Sequence, residues 1–309
     1  MNPNYITKLA SKFNIERLDL LEKDVLLHQI LTDLSNDLFF SRNFSFKGGT
    51  CLIKHYLGYR RFSEDIDFSW NDQSRFRSRS GKSIVNDLSD LINQVGKLFE
   101  DIAIKRGLDF DCNKDDTNHI ELGGGGRTCT FKVWYDSGIM KRRTYIKIQI
   151  NFVEELCSKP EMGVLRSMAM IKDPELEALF VEHSEYSKPV SLPIYTLKEI
   201  LSEKIRALLT RQGIKARDFV DVYLIQENGT KYSEVEECII KKTNHALKLY
   251  EKYRKNLTTK MSLLEKNDIF DWGSERDLLL SEINEASFTR FIEDFTKYLR
   301  QLVSKFQMS

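Results

Sequence analysis

The segment from Phe46 to Phe68 contains the residues of this chain whose types and spacing best suit chemistry. Asp65 and Asp67 alternate with apolar residues at the period of a β-strand. Both carboxylates are therefore predicted on one face of a strand, with Cα atoms about 6 to 7 Å apart. Such a pair can share a divalent cation, and hard oxygen ligands favour Mg²⁺ or Mn²⁺. The alternative is an exposed edge strand whose acidic residues face water.

A glycine pair ahead of the acidic strand predicts an anion site. Gly48, Gly49 and Thr50 follow a short predicted strand, FSF, and precede a predicted helix, Cys51 to Leu57, which Gly58 ends. A glycine turn at a helix N-terminus offers unpaired amide groups and the positive end of the helix dipole. A triphosphate binds to such features. The motif is weak alone, and the acidic strand after it strengthens the prediction.

The glycine turn and the acidic strand together form a longer pattern. Gly-Gly-Thr is followed by R-x-S-x-D-x-D. This order resembles the first motif of the AbiEii/AbiGii-type nucleotidyltransferase toxins, a branch of the DNA polymerase β-like nucleotidyltransferase superfamily. The resemblance implies an α+β fold, with a mixed sheet flanked by helices and a helical C-terminal lobe. Asp65 and Asp67 are implied as catalytic residues and metal ligands. The residues implied to bind the nucleoside triphosphate here are Gly48, Gly49, Thr50, Arg61 and Ser63.

A second stretch with the same resemblance begins at Lys204. This residue lies in a predicted helix that Thr196 caps, with Glu199 at capping-box spacing. The next predicted helix begins near Lys215 and contains R-D-F-V-D. The two stretches resemble the lysine helix and the R-D-x-x-D helix of the same toxin family, in the same order. Lysine and arginine side chains can hold metal-bridged phosphates and offset charge on a leaving pyrophosphate.

The resemblance implies particular roles for residues of these two helices. Lys204 is implied to contact the triphosphate, and Arg217 and Asp221 are implied to position it. Arg211 is assigned to nucleotide binding, and Lys204 and Asp221 are assigned to catalysis. Asp218 and Asp221 are spaced at i and i+3, so that one of them can orient a basic side chain. The alternative is a surface ion-pair network.

One strand departs from the superfamily pattern. Polymerase β-like sites use a third carboxylate from a later strand, but the candidate strand IKIQINF carries Lys147, Gln149 and Asn151 at its polar positions. An amide oxygen can bind a metal, yet it brings no charge and is a poor general base. Glu154 or Glu155 would supply the third carboxylate only if the strand contains a bulge. A catalytically weak nucleotide-binding or RNA-binding module is therefore an alternative function.

Composition restricts the class of protein. The chain has 309 residues, 41% hydrophobic and 30% charged, which suits one large or two modest domains. Lys and Arg number 47 against 46 for Asp and Glu, so any nucleic-acid site must be local. The five cysteines lack C-x-x-C spacing, which predicts buried free thiols in a reducing compartment. No membrane helix or signal peptide is predicted, and the expected location is the cytoplasm.

Periodicity predicts an N-terminal α/β lobe, residues 1–190, and a helical lobe, residues 191–309. The first 42 residues have a helical period, and their Glu22-Lys23-Asp24 string is predicted as a solvated helix face. A long helix is predicted over residues 82–106. Two strands, 128–135 and 144–153, are predicted as a hairpin-like pair beside the acidic strand.

Three other features have open interpretations. The arginine-rich segment 74–80 either binds phosphate or RNA or is an ordinary surface loop. The glycine run 123–126 lacks a following helix, which favours a turn over a phosphate cradle. The lysine-rich region from Tyr232 onward is either an RNA-gripping lobe or a plain helical bundle. The histidines show no ligand spacing, so no zinc site is predicted.

These observations predict a metal-dependent nucleotidyltransferase that moves a nucleoside monophosphate from a nucleoside triphosphate to a hydroxyl. The family resemblance implies an RNA acceptor, notably the tRNA 3′ end. It also implies growth arrest within a toxin–antitoxin or phage-defence (abortive infection) system, with a cognate antitoxin as partner. A small-molecule nucleotidyltransferase of the antibiotic-modifying kind is a further alternative. The lysine and R-D-x-x-D helices argue against that alternative.

Overall fold

The computed structural model describes residues 1–77, 81–170, 174–266 and 268–306. The chain forms two compact units. The first comprises Met1–Val153 and Pro160–Tyr195, and the second comprises Glu154–Lys159 and Thr196–Ser309. The sequence predicts a single boundary between residues 190 and 191, whereas the short segment Glu154–Lys159 packs with the second unit.

A seven-stranded mixed sheet is the centre of the first unit. In chain order the strands are β1 (Phe44–Lys47), β2 (Asp65–Trp70), β3 (Ile120–Gly123), β4 (Thr128–Asp136), β5 (Arg143–Asn151), β6 (Glu161–Leu165) and β7 (Val190–Ile194). Their spatial order is β3-β4-β5-β2-β1-β7-β6. Strand β2 pairs with β5, and β1 with β7, in parallel, and the other neighbouring pairs are antiparallel. The predicted hairpin beside the acidic strand is therefore confirmed.

Helices of the first unit cover this sheet. They are α1 (Pro3–Phe13), α2 (Leu18–Asn36), α3 (Leu38–Asn43), α4 (Gly48–Cys51), a π-helix (Leu52–Leu57), α5 (Ser74–Arg77), α6 (Gly81–Arg106), α7 (Pro174–Leu179) and 3₁₀ turns at Met168–Met170 and Val181–Ser187. Residues 78–80 of the arginine-rich segment lie outside the described residues. The glycine run joins antiparallel strands β3 and β4, so the prediction of a turn is confirmed.

The prediction that Glu22-Lys23-Asp24 forms a solvated helix face is wrong. Glu22 is 0% exposed and Asp24 is 3% exposed. Helix α2 contacts α1, α3, β5 and β7, so neighbours enclose it on more than one side. Sequence periodicity locates the apolar stripe of a helix, but it does not reveal how many elements surround the helix. Buried carboxylates require hydrogen-bonding or charged partners, and both residues have them.

The second unit is mainly helical. Its helices are α8 (Leu197–Thr210), α9 (Ala216–Glu227), α10 (Glu236–Leu249), α11 (Glu251–Glu265), α12 (Glu285–Val303) and 3₁₀ turns at Tyr232–Val235 and Gly273–Leu278. Thr196 caps α8 as predicted, because its Oγ1 accepts the Glu199 amide at 3.2 Å. Helix α8 contacts α9, α10 and α11. Among the described residues, no helix is long and apolar enough to cross a membrane.

The prediction that the cysteines are free thiols is wrong for two of them. Cys157 forms a disulfide with Cys238 on α10, across a sequence separation of 81. Cys51 and Cys129 are buried free thiols, and Cys112 is a half-buried free thiol. The pairing depends on the packing of segment Glu154–Lys159 within the second unit, which the spacing of cysteines along a chain does not report.

Candidate functional site

Strand β2 places its two acidic residues on one face of the sheet. Ile66 and Phe68 are fully buried, while Asp65 and Asp67, which alternate with them, are half-buried. This alternation is the one that the sequence predicted, because successive side chains of a strand point to opposite faces. The carboxylates are therefore neighbours on a partly accessible surface of the first unit.

Strand β5 borders these acidic residues without adding a carboxylate. In the parallel register Lys147 lies opposite Asp65, and Gln149 lies opposite Asp67. Lys147 Nζ is 3.8 Å from Asp65 Oδ2, so a positive charge stands beside the pair. Asn151 ends the strand. The departure from the superfamily pattern that the sequence indicated is thus present in the fold.

The two later glutamates do not replace the third carboxylate within the sheet. Strand β5 pairs with β2 in unbroken register up to Asn151. Glu154 and Glu155 follow it in the segment that belongs to the second unit. There, Lys241 Nζ is 2.8 Å from Glu155 Oε1, and Lys242 Nζ is 4.0 Å from Glu154 Oε1. The bulged strand that would bring either residue beside the acids is not formed.

The glycine turn lies directly against the acidic strand. Gly48 has φ +75°, and a Cβ added to it would overlap the carboxylate of Asp67. A Cβ added to Gly49 would lie 2.6 Å from Arg61 Nη2 and 3.2 Å from Ser63 Oγ. Gly48 therefore requires the absence of a side chain, and at Gly49 a side chain would displace the Arg61 guanidinium. The close approach joins the glycine turn and the R-x-S-x-D-x-D segment into one site.

Hydrogen bonds fix this arrangement. Thr50 Oγ1 donates to the carbonyl of Asp65 and lies 2.8 Å from Ser63 Oγ. Arg61 is 2% exposed, and its Nη1 donates to the carbonyl of Phe62 at 2.6 Å. The buried guanidinium is thus fixed close to Gly49. All seven residues predicted for this half of the site are brought together within the first unit.

The helix after the glycine turn differs from the prediction. It was expected over residues 51–57, but α-helical geometry covers Gly48–Cys51 and then changes to the π-helix Leu52–Leu57. Gly58 ends the π-helix with φ +71°, as the sequence indicated. A π-helix is rare and is frequent at functional sites, and side-chain periodicity over so few residues does not distinguish it from an α-helix.

A second cluster of predicted residues forms within the second unit. Lys204 Nζ lies 2.8 Å from Asp218 Oδ1 and 2.7 Å from Asp221 Oδ2. Arg211 Nη1 lies 2.7 Å from Asp218 Oδ2. Asp218 and Asp221 are each 1% exposed, whereas the Arg211 side chain is 42% exposed, so this ion-pair network is buried at its carboxylates and reaches the surface at Arg211. Burial alone would raise the pKa of Asp218, but the charges of Lys204 and Arg211 outweigh it and hold that pKa well below its usual range.

Arg217 has a different partner from the other basic residues of this region. Its Nε is 3.5 Å from Glu275 Oε1, and its amide donates to Glu275 Oε2 at 2.9 Å. No motif in the sequence indicates Glu275, which lies 58 residues beyond Arg217 along the chain. For Asp218, the i, i+3 spacing to Asp221 was the available signal, although it was not assigned to the site.

The contact between Gly48 and Asp67 yields a first prediction. Gly48→Ala is expected to lower the free energy of unfolding by about 2 to 5 kcal/mol, the sum of a strained positive φ and an overlap in a packed site. We expect at least about a tenfold loss of nucleotide affinity, which corresponds to about 1.4 kcal/mol. Urea denaturation and nucleotide titration measure these effects.

Gly58→Ala is the matched control for this substitution. Gly58 has a similar φ of +71°, but nothing lies within 4 Å of its added Cβ. Its ψ is −178°, and this combination of angles is essentially confined to glycine, so the substitution should cost about 1 to 3 kcal/mol of backbone strain and leave nucleotide affinity unchanged. Equal losses of nucleotide affinity from the two substitutions would contradict a specific contact between Gly48 and the acidic strand.

Comparisons with known proteins agree with this fold and with the sequence motifs. The family model of the AbiEii nucleotidyl transferase toxin of type IV toxin–antitoxin systems matches residues 29–306. A search of curated proteins by sequence finds no match. MenT4, a nucleotidyltransferase toxin from Mycobacterium tuberculosis H37Rv, is similar in structure, with a TM-score of 0.52 and 19% identity over 99% of this chain and 91% of that chain. JHP933 from Helicobacter pylori has a TM-score of 0.42 and 16% identity over 93% of this chain and 94% of that chain.

The likeness to MenT4 supports the predicted fold class, an α+β nucleotidyltransferase fold with a mixed sheet and a helical C-terminal region. The family match extends over most of the chain and includes both groups of motif residues. The resemblance inferred from those motifs is therefore confirmed, and the chain belongs to the AbiEii nucleotidyl transferase toxin family of type IV toxin–antitoxin systems.

Proposed function

We propose that this toxin transfers a nucleoside monophosphate from a nucleoside triphosphate to the 3′-terminal hydroxyl of tRNA, with Mg²⁺ or Mn²⁺ as cofactor. The observation that carries the proposal is the close approach of Gly48 to Asp67. It places a helix N-terminus, which attracts phosphate, directly beside two carboxylates, which attract a metal ion. A substrate triphosphate and its metal ion need both features together.

The donor set fits a hard divalent cation. Asp65 and Asp67 offer carboxylate oxygens from one partly exposed face of β2. Neither β5 neighbour, Lys147 or Gln149, adds negative charge. Two carboxylates without further negative charge suit a cation whose remaining ligands include oxygens of the substrate phosphates. When bound, such a cation neutralises charge that develops on the phosphates during transfer.

The protein's own groups bind and orient the nucleotide. We assign the amides of Gly48, Gly49 and Thr50 to the phosphates, because they begin a continuous helical segment. Ser63 Oγ lies 2.8 Å from Thr50 Oγ1, and the Arg61 guanidinium lies close to Gly49, so both residues border that turn. The acceptor hydroxyl releases its proton to water, its oxygen forms a new bond to the α-phosphorus, and the bond from that phosphorus to pyrophosphate breaks.

For the second unit we propose a contribution of positive charge to nucleotide binding. Lys204, Arg211 and Arg217 are the basic residues assigned to this role by family resemblance. Asp221 lies 2.7 Å from Lys204 Nζ and fixes the position of the ammonium group. Asp221 is thereby a positioning residue.

The proposed substrates place the reaction in the cytoplasm, where nucleoside triphosphates and tRNA occur together. Modification of the tRNA 3′ end would block aminoacylation and arrest growth. Membership of a type IV toxin–antitoxin family supports a separately encoded antitoxin as the cognate partner.

Nucleotide binding without transfer is a second candidate function. The observation that favours it is the register that places Lys147 and Gln149 opposite the two acids, where the superfamily supplies a carboxylate. Lys147 Nζ, 3.8 Å from Asp65, also competes electrostatically with a metal ion. This candidate predicts Mg²⁺-dependent nucleotide binding with no covalent product.

Label transfer distinguishes the candidates. The wild-type protein is incubated with total tRNA, Mg²⁺ and each of the four α-labelled nucleoside triphosphates in turn. We expect label on RNA with at least one nucleotide and none after chelation of the metal. Mg²⁺-dependent binding without any labelled RNA would favour the second candidate. Label on an aminoglycoside and not on RNA would instead indicate a small-molecule acceptor.

A further inference from the structure

Three consecutive residues of α2 contact three different segments of the chain. These residues, Glu22, Lys23 and Asp24, are called the EKD triad below. Their partners are the turn between β4 and β5, the residue that precedes β2, and the π-helix that follows the glycine turn. All of these segments belong to the first unit.

Glu22 holds the turn between β4 and β5. Its Oε1 accepts the amide of Gly138 at 2.8 Å, and its Oε2 accepts the hydroxyl of Ser137. The Ser137 hydroxyl oxygen in turn accepts the amide of Met140 at 2.8 Å. A carboxylate that accepts several donors in a buried site is strongly constrained. This turn directly precedes β5, the strand that pairs with the acidic strand β2.

Lys23 contacts the residue immediately before the acidic strand. Its Nζ lies 3.1 Å from Glu64 Oε2. The side chains are 17% and 37% exposed, so this ion pair is partly screened by water and contributes little stability. It is the weakest of the three contacts.

Asp24 makes the most complete set of contacts. Its Oδ1 lies 2.9 Å from Lys54 Nζ, and its Oδ2 accepts the hydroxyls of Tyr59 at 2.9 Å and Tyr186 at 2.7 Å. Lys54 Nζ also donates to the Tyr59 oxygen at 2.6 Å. Burial lowers the pKa of Lys54, and the Asp24 carboxylate offsets part of that effect. Burial also raises the pKa of Tyr59, so its hydroxyl keeps the proton that it donates.

The position of Lys54 connects this network to the glycine turn. Lys54 lies in the π-helix Leu52–Leu57, which continues directly from Gly48–Cys51. A single π-turn is unfavourable by itself and persists where tertiary contacts hold it. A buried ion pair adds little net stability compared with apolar residues of similar size, because both charges lose their hydration. The buried Asp24–Lys54 pair is therefore expected to affect the local conformation of the chain more than its overall stability.

We propose that the EKD triad is a positioning element of the nucleotide site, and that the Asp24–Lys54 pair holds the π-helix and the glycine turn in the conformation that binds phosphate. The statement about phosphate rests on the proposed function. The statement about local conformation does not, because it concerns the protein without nucleotide.

The double variant Asp24→Asn/Lys54→Met tests the proposal, because it removes both charges and leaves neither one unpaired. We expect backbone amides of residues 46–58 to exchange with deuterium at least about tenfold faster than in the wild type, without nucleotide. The dissociation constant for the nucleoside triphosphate with Mg²⁺ should rise at least about tenfold. The urea midpoint of the double variant should remain close to that of the wild type.

Asp33→Asn/Arg106→Met is the matched control. Arg106 Nε lies 2.6 Å from Asp33 Oδ2, so this pair also starts on α2, but it leads to α6 and not to the π-helix. We expect unchanged exchange over residues 46–58 and wild-type nucleotide affinity. Tyr59→Phe is a second probe, which deletes one hydroxyl of the network without changing charge. It should raise exchange in the same segment by a smaller factor.

The outcomes separate the two levels of the proposal. Wild-type exchange rates over residues 46–58 in both the double variant and Tyr59→Phe would overturn it, whatever the nucleotide does. Faster exchange with undiminished nucleotide affinity would overturn the positioning of the phosphate site. A wild-type protein that binds no nucleoside triphosphate would overturn the proposed function. The amide exchange rates over residues 46–58 would still decide whether the Asp24–Lys54 pair of the triad fixes the glycine turn.

Discussion

Asp65→Asn and Asp67→Asn proteins are each expected to lose at least about a thousandfold in label transfer to RNA, or about 4 kcal/mol of transition-state stabilisation. Each substitution keeps the shape of the side chain and removes one negative charge from the pair that we propose binds the metal ion. Both acids are half-buried, so the structural cost should be small. Initial rates of transfer, measured beside urea unfolding curves, separate lost catalysis from lost folding.

Asp136→Asn is the control for these variants. Asp136 lies at the end of β4 in the same sheet and is exposed, so its substitution changes the same amount of charge away from the glycine turn. We expect wild-type transfer from this protein. Transfer within about tenfold of wild type by both Asp65→Asn and Asp67→Asn would reject the acidic pair as the metal site, since tenfold is only about 1.4 kcal/mol.

Lys204→Met is expected to lower the free energy of unfolding by about 3 to 5 kcal/mol and to reduce label transfer strongly. The substitution leaves Asp218 and Asp221 buried with one positive partner fewer. Adding Asp221→Asn to Lys204→Met removes one of the uncompensated charges, and we expect it to restore part of the stability but not the transfer. Urea denaturation at neutral pH measures the first effect.

Lys198→Met is the matched control on the same helix. Lys198 Nζ lies 3.0 Å from Glu234 Oε2, but the side chains are 57% and 41% exposed. Exposed pairs contribute about 0 to 1 kcal/mol, so this variant should unfold almost as the wild type does. Equal losses of stability in the two lysine variants would contradict the burial of the Lys204 cluster.

The same cluster predicts a dependence of stability on pH. The pKa of Asp218 is lower in the folded state than its ordinary value, so its contribution to stability is present above that ordinary value. This contribution is lost as pH falls through the lowered pKa. Lys204→Met should therefore show a smaller loss of stability on acidification than the wild type does.

The sequence alone determined the family and most secondary structure. The alternation of Asp65 and Asp67 with apolar residues fixed the face of β2, because side chains in a strand alternate with a period of two. Gly58 and Thr196 marked helix ends correctly, because the backbone and capping requirements of those positions are local. Motif spacing, read through the family resemblance, predicts both groups of site residues, and each group lies together within its own unit.

Which charges are buried, and what they contact, follows from tertiary packing. Helical periodicity predicts Glu22 and Asp24 on a solvated face, yet α2 is enclosed by other elements of the first unit. The disulfide of Cys157 with Cys238 depends on packing across 81 residues of sequence. The contact of Gly48 with Asp67 likewise arises where separate segments meet. Burial and pairing depend on residues distant along the chain, whereas periodicity and capping report only near neighbours.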